Sequence, residues 1–168
     1  MSSLNKEIRN VQNPALGAML LWRFVVGYSD GSDIAAHVPL PLMFIDLPIM
    51  LHKDTVAFVT STNKPTGLRG FVNKFNESRT SKSDLITSIH QRALQMRELT
   101  SKSLALALSA NLIAIDAKTG LVAALSISTP KFDVAGSVRE LLRGSEKIGY
   151  WCSKLTMHEI SVILKVVF

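Results

Sequence analysis

Apolar residues recur with helical spacing along most of the chain and with strand spacing in one short region. From Asn13 to Gly31, Leu16, Met19, Leu20, Leu21, Trp22, Phe24, Val25 and Val26 cover nearly the whole circumference of a helix, with Arg23 the one charge between Leu16 and Val26. Asn13 suits an N-cap and Pro14 the first helical position, where its missing N–H costs nothing. Gly27 and Gly31 are the candidate stops. A helix apolar all round is covered on both sides, so this one is expected at the centre or in an interface. The apolar run VPLPLMFIDLPIML at 38–51, and HKDTVAFVTST after it, read as short helices near 41–51 and 53–60, with strands as the alternative. Asn63 to Gly67 reads as a loop, after which Leu68, Phe71, Val72 and Phe75 share one face of a short helix.

A helical pair follows. Ser81 or Ser83 is placed to cap a helix with Leu85, Ile89, Ala93 and Met96 near one face, and Thr100 or Ser101 a second with Leu104, Leu108 and Leu112 in register. The period then changes: LIAID, AKTG and LVAAL, over 112–125, read as strand, turn and strand, with Gly120 in the turn. Helix, helix and hairpin is the closing order of a winged helix, so a winged-helix-like arrangement is expected around residues 83–125. A further amphipathic helix spans about 135–154, and Thr156-Met157-His158-Glu159 reads as a capping box that opens a last apolar helix. The expected class is α+β, mostly helical with a β-hairpin. A single compact domain over 1–168 is expected, with a division into 10–80 and 81–168 as the alternative.

Composition narrows the classes. The chain has 168 residues, 47% apolar against 19% charged, with mean hydropathy +0.24 and one cysteine, Cys152. That excludes a disordered chain, a collagen and a disulfide scaffold, and a lone cysteine fits a reducing compartment. The 14-residue run at 38–51 is too short and too broken by proline to cross a membrane. The opening MSSLNKEIRN lacks the apolar segment of a signal peptide, so a cytoplasmic protein is expected. The apolar surplus then points to a surface that another protein covers, with an unusually dry core as the alternative.

The net charge of +6 is concentrated: between Lys64 and Lys102 eight basic residues stand against three acids. A stripe of this kind suits nucleic acid or an acidic partner, and equally a solvated helix face. Lys64, Arg69, Lys74, Arg79 and Lys82 are the candidate phosphate contacts. Trp22 and Arg23 are candidate interface anchors, since these residue types dominate hot spots; the alternatives are core packing for Trp22 and an ordinary ion pair for Arg23. No phosphate-binding glycine loop, nucleophile elbow or metal-ligand spacing among His37, His52, His90 and His158 occurs, so no catalytic, cofactor or metal residue is assigned. Asp46, a charge within an apolar stretch, reads as a buried hydrogen-bonding or capping group ahead of a general acid.

The blocks NPALGAMLLWRFVVGY, PLPLMFIDLPIMLHKDT, STNKPTGLRGFVNKF and KIGYWCSKLTMHEISVILKVVF together resemble a middle component of the bacterial three-component ABC ATPase systems, of the Lamassu type of antiphage defence. The matching positions include Asn13-Pro14, Leu21-Trp22-Arg23, Ser61-Thr62-Asn63-Lys64 and His158-Glu159. The resemblance covers roughly residues 10–168, with nothing matched around 30–37 and 126–134. It implies a non-enzymatic adaptor beside two partners: an SMC-like ABC ATPase that senses DNA, and an effector, often a nuclease. A stand-alone winged-helix DNA-binding protein or regulator is the competing expectation.

Overall fold

The computed structural model describes residues 13–32, 37–77, 83–128 and 134–168. Among the described residues eight helices carry the architecture: α1 (Pro14–Gly31), α2 (Met43–Met50), α3 (Lys53–Ser61), α4 (Gly67–Glu77), α5 (Ser83–Gln95), α6 (Arg97–Ser109), α7 (Gly136–Ser153) and α8 (Met157–Leu164). Short 3₁₀ turns at Leu40–Leu42 and Lys64–Thr66 lead into α2 and α4. The strands β1 (Val38–Pro39), β2 (Ile113–Asp116) and β3 (Leu121–Ala124) form an antiparallel sheet in the order β1-β3-β2, with Val122 opposite both Val38 and Ile115. The expected α+β composition and hairpin are present. The Asp116 carboxylate takes the Lys118 N–H at 2.8 Å, and Gly120 turns the chain at φ +65°.

Local signals placed the starts of α1 and α8. The Asn13 side chain accepts from the N–H groups of Ala15 and Leu16, and Thr156 and Glu159 exchange both bonds of a capping box. Gly27, however, does not stop α1, which runs on to Gly31. Nor do Thr100 or Ser101 cap α6: only Met96 separates it from α5, and Thr100 is buried inside its first turn.

The core sits around α1, where Leu20, Leu21, Phe24 and Val25 have no exposed surface. Its main neighbours are α7 on one side and α6 on the other, and both contacts depend on small residues. A methyl group on Gly27 would lie 1.9 Å from the Glu146 carbonyl oxygen of α7, and one on Gly149 of α7 would lie 2.0 Å from the Phe24 carbonyl oxygen of α1. Each helix thus presents a glycine to the other's backbone. Towards α6, a methyl on Gly17 would come 2.1 Å from Ser103 Oγ. That closeness selects the face α6 buries: Thr100, Ser103, Leu104 and Ala107 turn inward, while Leu106 and Leu108 remain 40% and 38% exposed. Of Leu104, Leu108 and Leu112, expected in register, Leu104 is buried and Leu112 partly so, while Leu108 is left outside; Thr100, Ser103 and Ala107 fill the rest of the buried face, where small residues let α6 reach α1.

An aromatic cluster joins α3 and α4 to α7. Phe58 of α3 and Phe75 of α4 lie 4.7 Å apart, and Phe71 lies 4.9 Å from Phe75 and 5.7 Å from Trp151. Such pairs add to plain area burial.

G27A and G149A should each destabilise the fold by about 3 kcal/mol, because the obstructing atoms are backbone and cannot rotate away. At Gly136 nothing lies within 4 Å of an added methyl, so G136A should be neutral or stabilising by up to about 1 kcal/mol through helix propensity. Urea unfolding of the three variants checks this, and equal effects at all three positions would refute the close crossing.

Candidate functional site

The described residues Lys64, Arg69 and Lys74 have different partners. Lys64, in the 3₁₀ turn before α4, places its ammonium 2.9 Å from the Asp30 carboxylate and 4.1 Å from the ring of Tyr150. Its carbonyl accepts the Trp151 indole N–H at 2.8 Å, which pins the turn to α7. Arg69, on α4, pairs with Glu159 at 3.0 Å. Lys64 and Arg69 line one cleft of about 430 Å³ together with Tyr150 and Lys154, whose ammonium is 5.4 Å from the Tyr150 ring. Neither Tyr150 nor Lys154 was singled out in the sequence, because α7 arrives from the far end of the chain and no local pattern links it to residue 64.

Lys74 has a different task. Its ammonium donates to the Ser61 carbonyl at 2.6 Å, while Lys147 of α7 donates to the carbonyls of Val59 at 3.0 Å and Thr62 at 2.8 Å. Two lysines thereby cap the C-terminus of α3, where unpaired carbonyls and the helix dipole attract positive charge. Burial, then the nearby Lys74, lowers the pKa of Lys147. Arg79 and Lys82 lie outside the described residues.

Trp22 and Arg23 face inward. Trp22 is 3% exposed and its indole N–H donates to the Ser126 carbonyl at 2.7 Å. Arg23 donates to the Ile127 carbonyl at 3.1 Å, forms an ion pair with Glu146 of α7, and sits 5.1 Å from the Trp22 ring. Together they clamp the segment leaving β3 onto α1 and α7. The side chain of Ile127 is 77% exposed beyond that clamp.

A groove of about 280 Å³ lies between α5 and the extended residues Val166–Phe168 that follow α8. Phe44 and Pro41 form its floor, Leu94 stands 53% exposed on one wall, and Val167 and Phe168 stand 79% and 44% exposed on the other. The Val167 N–H reaches His90 Nδ1 across the groove at 3.4 Å, and Arg97 stands at the rim.

Over residues 1–168 the chain matches the family described as ABC-three component (ABC-3C) system Middle Component 3. The chain belongs to that family. No curated protein and no solved structure is similar to it. In this middle component no helix among the described residues is long and apolar enough to cross a membrane, and no group of three His, Cys, Asp or Glu residues among them could hold a metal ion.

Asp46 of this Middle Component 3 chain is fully buried between α2 and α7. Its Oδ2 accepts the Ser145 hydroxyl at 2.8 Å, and its Oδ1 has no hydrogen-bond partner. Burial raises its pKa to about 8 against the opposing effect of the Ser145 bond. Burial, and secondarily Asp46, also raises that of the Cys152 thiol, which is held protonated and unreactive. With no exposed surface, Asp46 cannot meet a substrate from solvent.

The carboxyl ionises near pH 4 in the unfolded chain and only near 8 in the folded one. Between these values folding takes up a proton, so Asp46 removes stability as pH rises, by about 1 kcal/mol per pH unit. D46N should flatten this dependence and be more stable than the parent at pH 8. Urea midpoints at pH 5, 6.5 and 8 test it; parallel curves for the two proteins would contradict the buried neutral acid.

Proposed function

We propose that this middle component is a non-enzymatic adaptor in antiviral defence, which binds an SMC-like ABC ATPase and couples its DNA-sensing state to a nuclease-type effector. The observation that carries the reading is membership of a multi-component family combined with apolar side chains left in water, above all Leu94, Ile127, Val162 and Val167. Large apolar side chains left exposed mark places that another protein can cover.

The sheet order β1-β3-β2, with α1 before β1 and α5 and α6 before the hairpin, supports a winged-helix-like frame into which extra helices have been added. On the outer face of α6, Lys102 is tied to Glu98 and its neighbours include Ala105, Leu106 and Leu108. Reading base edges calls for hydrogen-bonding side chains, so this face favours protein contact over sequence-specific DNA binding by a stand-alone regulator. Direct DNA contact, where it occurs, is assigned to the cleft of Lys64, Arg69 and Lys154, whose cations would meet phosphates without regard to sequence.

Co-expression of the tagged chain with the other two components of its system should yield a complex that survives high salt, since apolar contacts are not screened. Recovery of the chain alone at both low and high salt would refute the adaptor reading. In that complex, K64E, R69E and K154E combined should weaken binding to short duplex DNA about tenfold or more at low salt. Unchanged DNA affinity and unchanged phage protection would remove the cleft from consideration.

A further inference from the structure

We propose that the groove between α5 and residues 166–168 receives a short amphipathic helix from another component of the system, one that carries apolar side chains at one-turn spacing and a carboxylate that pairs with Arg97. This deepens the adaptor reading and rests on it. Along this wall half-buried His90 and exposed Leu94 of α5 are followed by exposed Arg97 at the start of α6, a length of about 10 Å, which matches two turns of a partner helix. Inward-facing residues of α5, Ile86 and Ile89, are 4% and 0% exposed, so that helix is apolar on two sides, and the described residues cover only one of them. At about 280 Å³ the groove is small for a cofactor or metabolite and suits inserted side chains.

Charge identifies the partner further. Arg97, exposed beside the groove, has no carboxylate within salt-bridge distance among the described residues. Among the described residues no acidic side chain lines the groove. An unanswered cation beside an apolar trough selects a segment that brings a carboxylate with its apolar anchors. A second copy of this chain is disfavoured by the same observation. In a two-fold contact the patch would meet itself, and Arg97 would find no acid there. Nucleic acid is disfavoured because, beyond Arg97 and His90, the walls offer apolar side chains and few donors for phosphate.

The test uses the complete three-component complex. A photo-crosslinking residue replacing Leu94 identifies the peptide that occupies the groove, and L94D and R97E are compared with the parent chain for complex recovery. A crosslink to an apolar, acid-bearing helical segment of another component is expected. L94D should reduce recovery at least tenfold and R97E several-fold, without changing the melting temperature of the isolated chain. Reversing the partner's carboxylate to a cation should restore binding to R97E. A complex that forms at full strength with both variants overturns the groove assignment and leaves the adaptor reading standing. So does a crosslink to a basic segment or to a second copy. Absence of any complex with the parent chain removes both.

Discussion

Helices α1 and α7 cross so closely that a methyl group on either Gly27 or Gly149 would penetrate the opposite backbone, and the remaining structure is arranged around that approach. Because the backbones touch, side chains beside the crossing are directed outward from it in both directions. Phe24 and Trp151 fill the two flanks, and Arg23 and Glu146 form their ion pair at the edge, where each keeps some contact with water. The pair is worth little as a surface attraction, but Arg23 also donates to the Ile127 carbonyl, so it fixes where the chain leaves the sheet.

The same reliance on small residues recurs at the contact of α1 with α6 and has a consequence for the surface. Burying Thr100, Ser103 and Ala107 leaves the larger Leu106 and Leu108 in water. Close internal packing and an apolar exterior are therefore two results of one choice of face. The surplus of hydrophobicity in the composition is divided between a dry core around α1 and α2 and exposed residues on α5, α6, α8 and the segment after β3. The chain belongs to a family of middle components of a multi-component system, which implies protein partners.

Positive charge is likewise put to several uses. Lys74 and Lys147 neutralise the end of α3, Lys102 pairs within its helix, and Lys64 and Arg69 meet Tyr150 and Lys154 in one cleft. A basic run in sequence gives charge density but not direction, because each side chain is claimed by whichever carbonyl, ring or carboxylate the fold brings near. Lys154, lying outside the run, joins the cleft, while Lys74, within it, is taken up by a helix end.

Sequence by itself determined the local features: the Asn13 cap, the capping box at Thr156 and Glu159, the hairpin turn at Gly120, and the extent of α1, α4 and α7. Each depends on groups within a few residues of one another, so its physical chemistry is complete in a short window. The blocks that resemble the middle-component family were legible for the same reason. Tertiary structure alone decided the inward turn of Trp22 and Arg23, the face buried by α6, the use of Gly27 as a contact instead of a stop, and the groove beside α5. These depend on which distant backbone comes within reach, and that distance is fixed only once α1, α6 and α7 have packed.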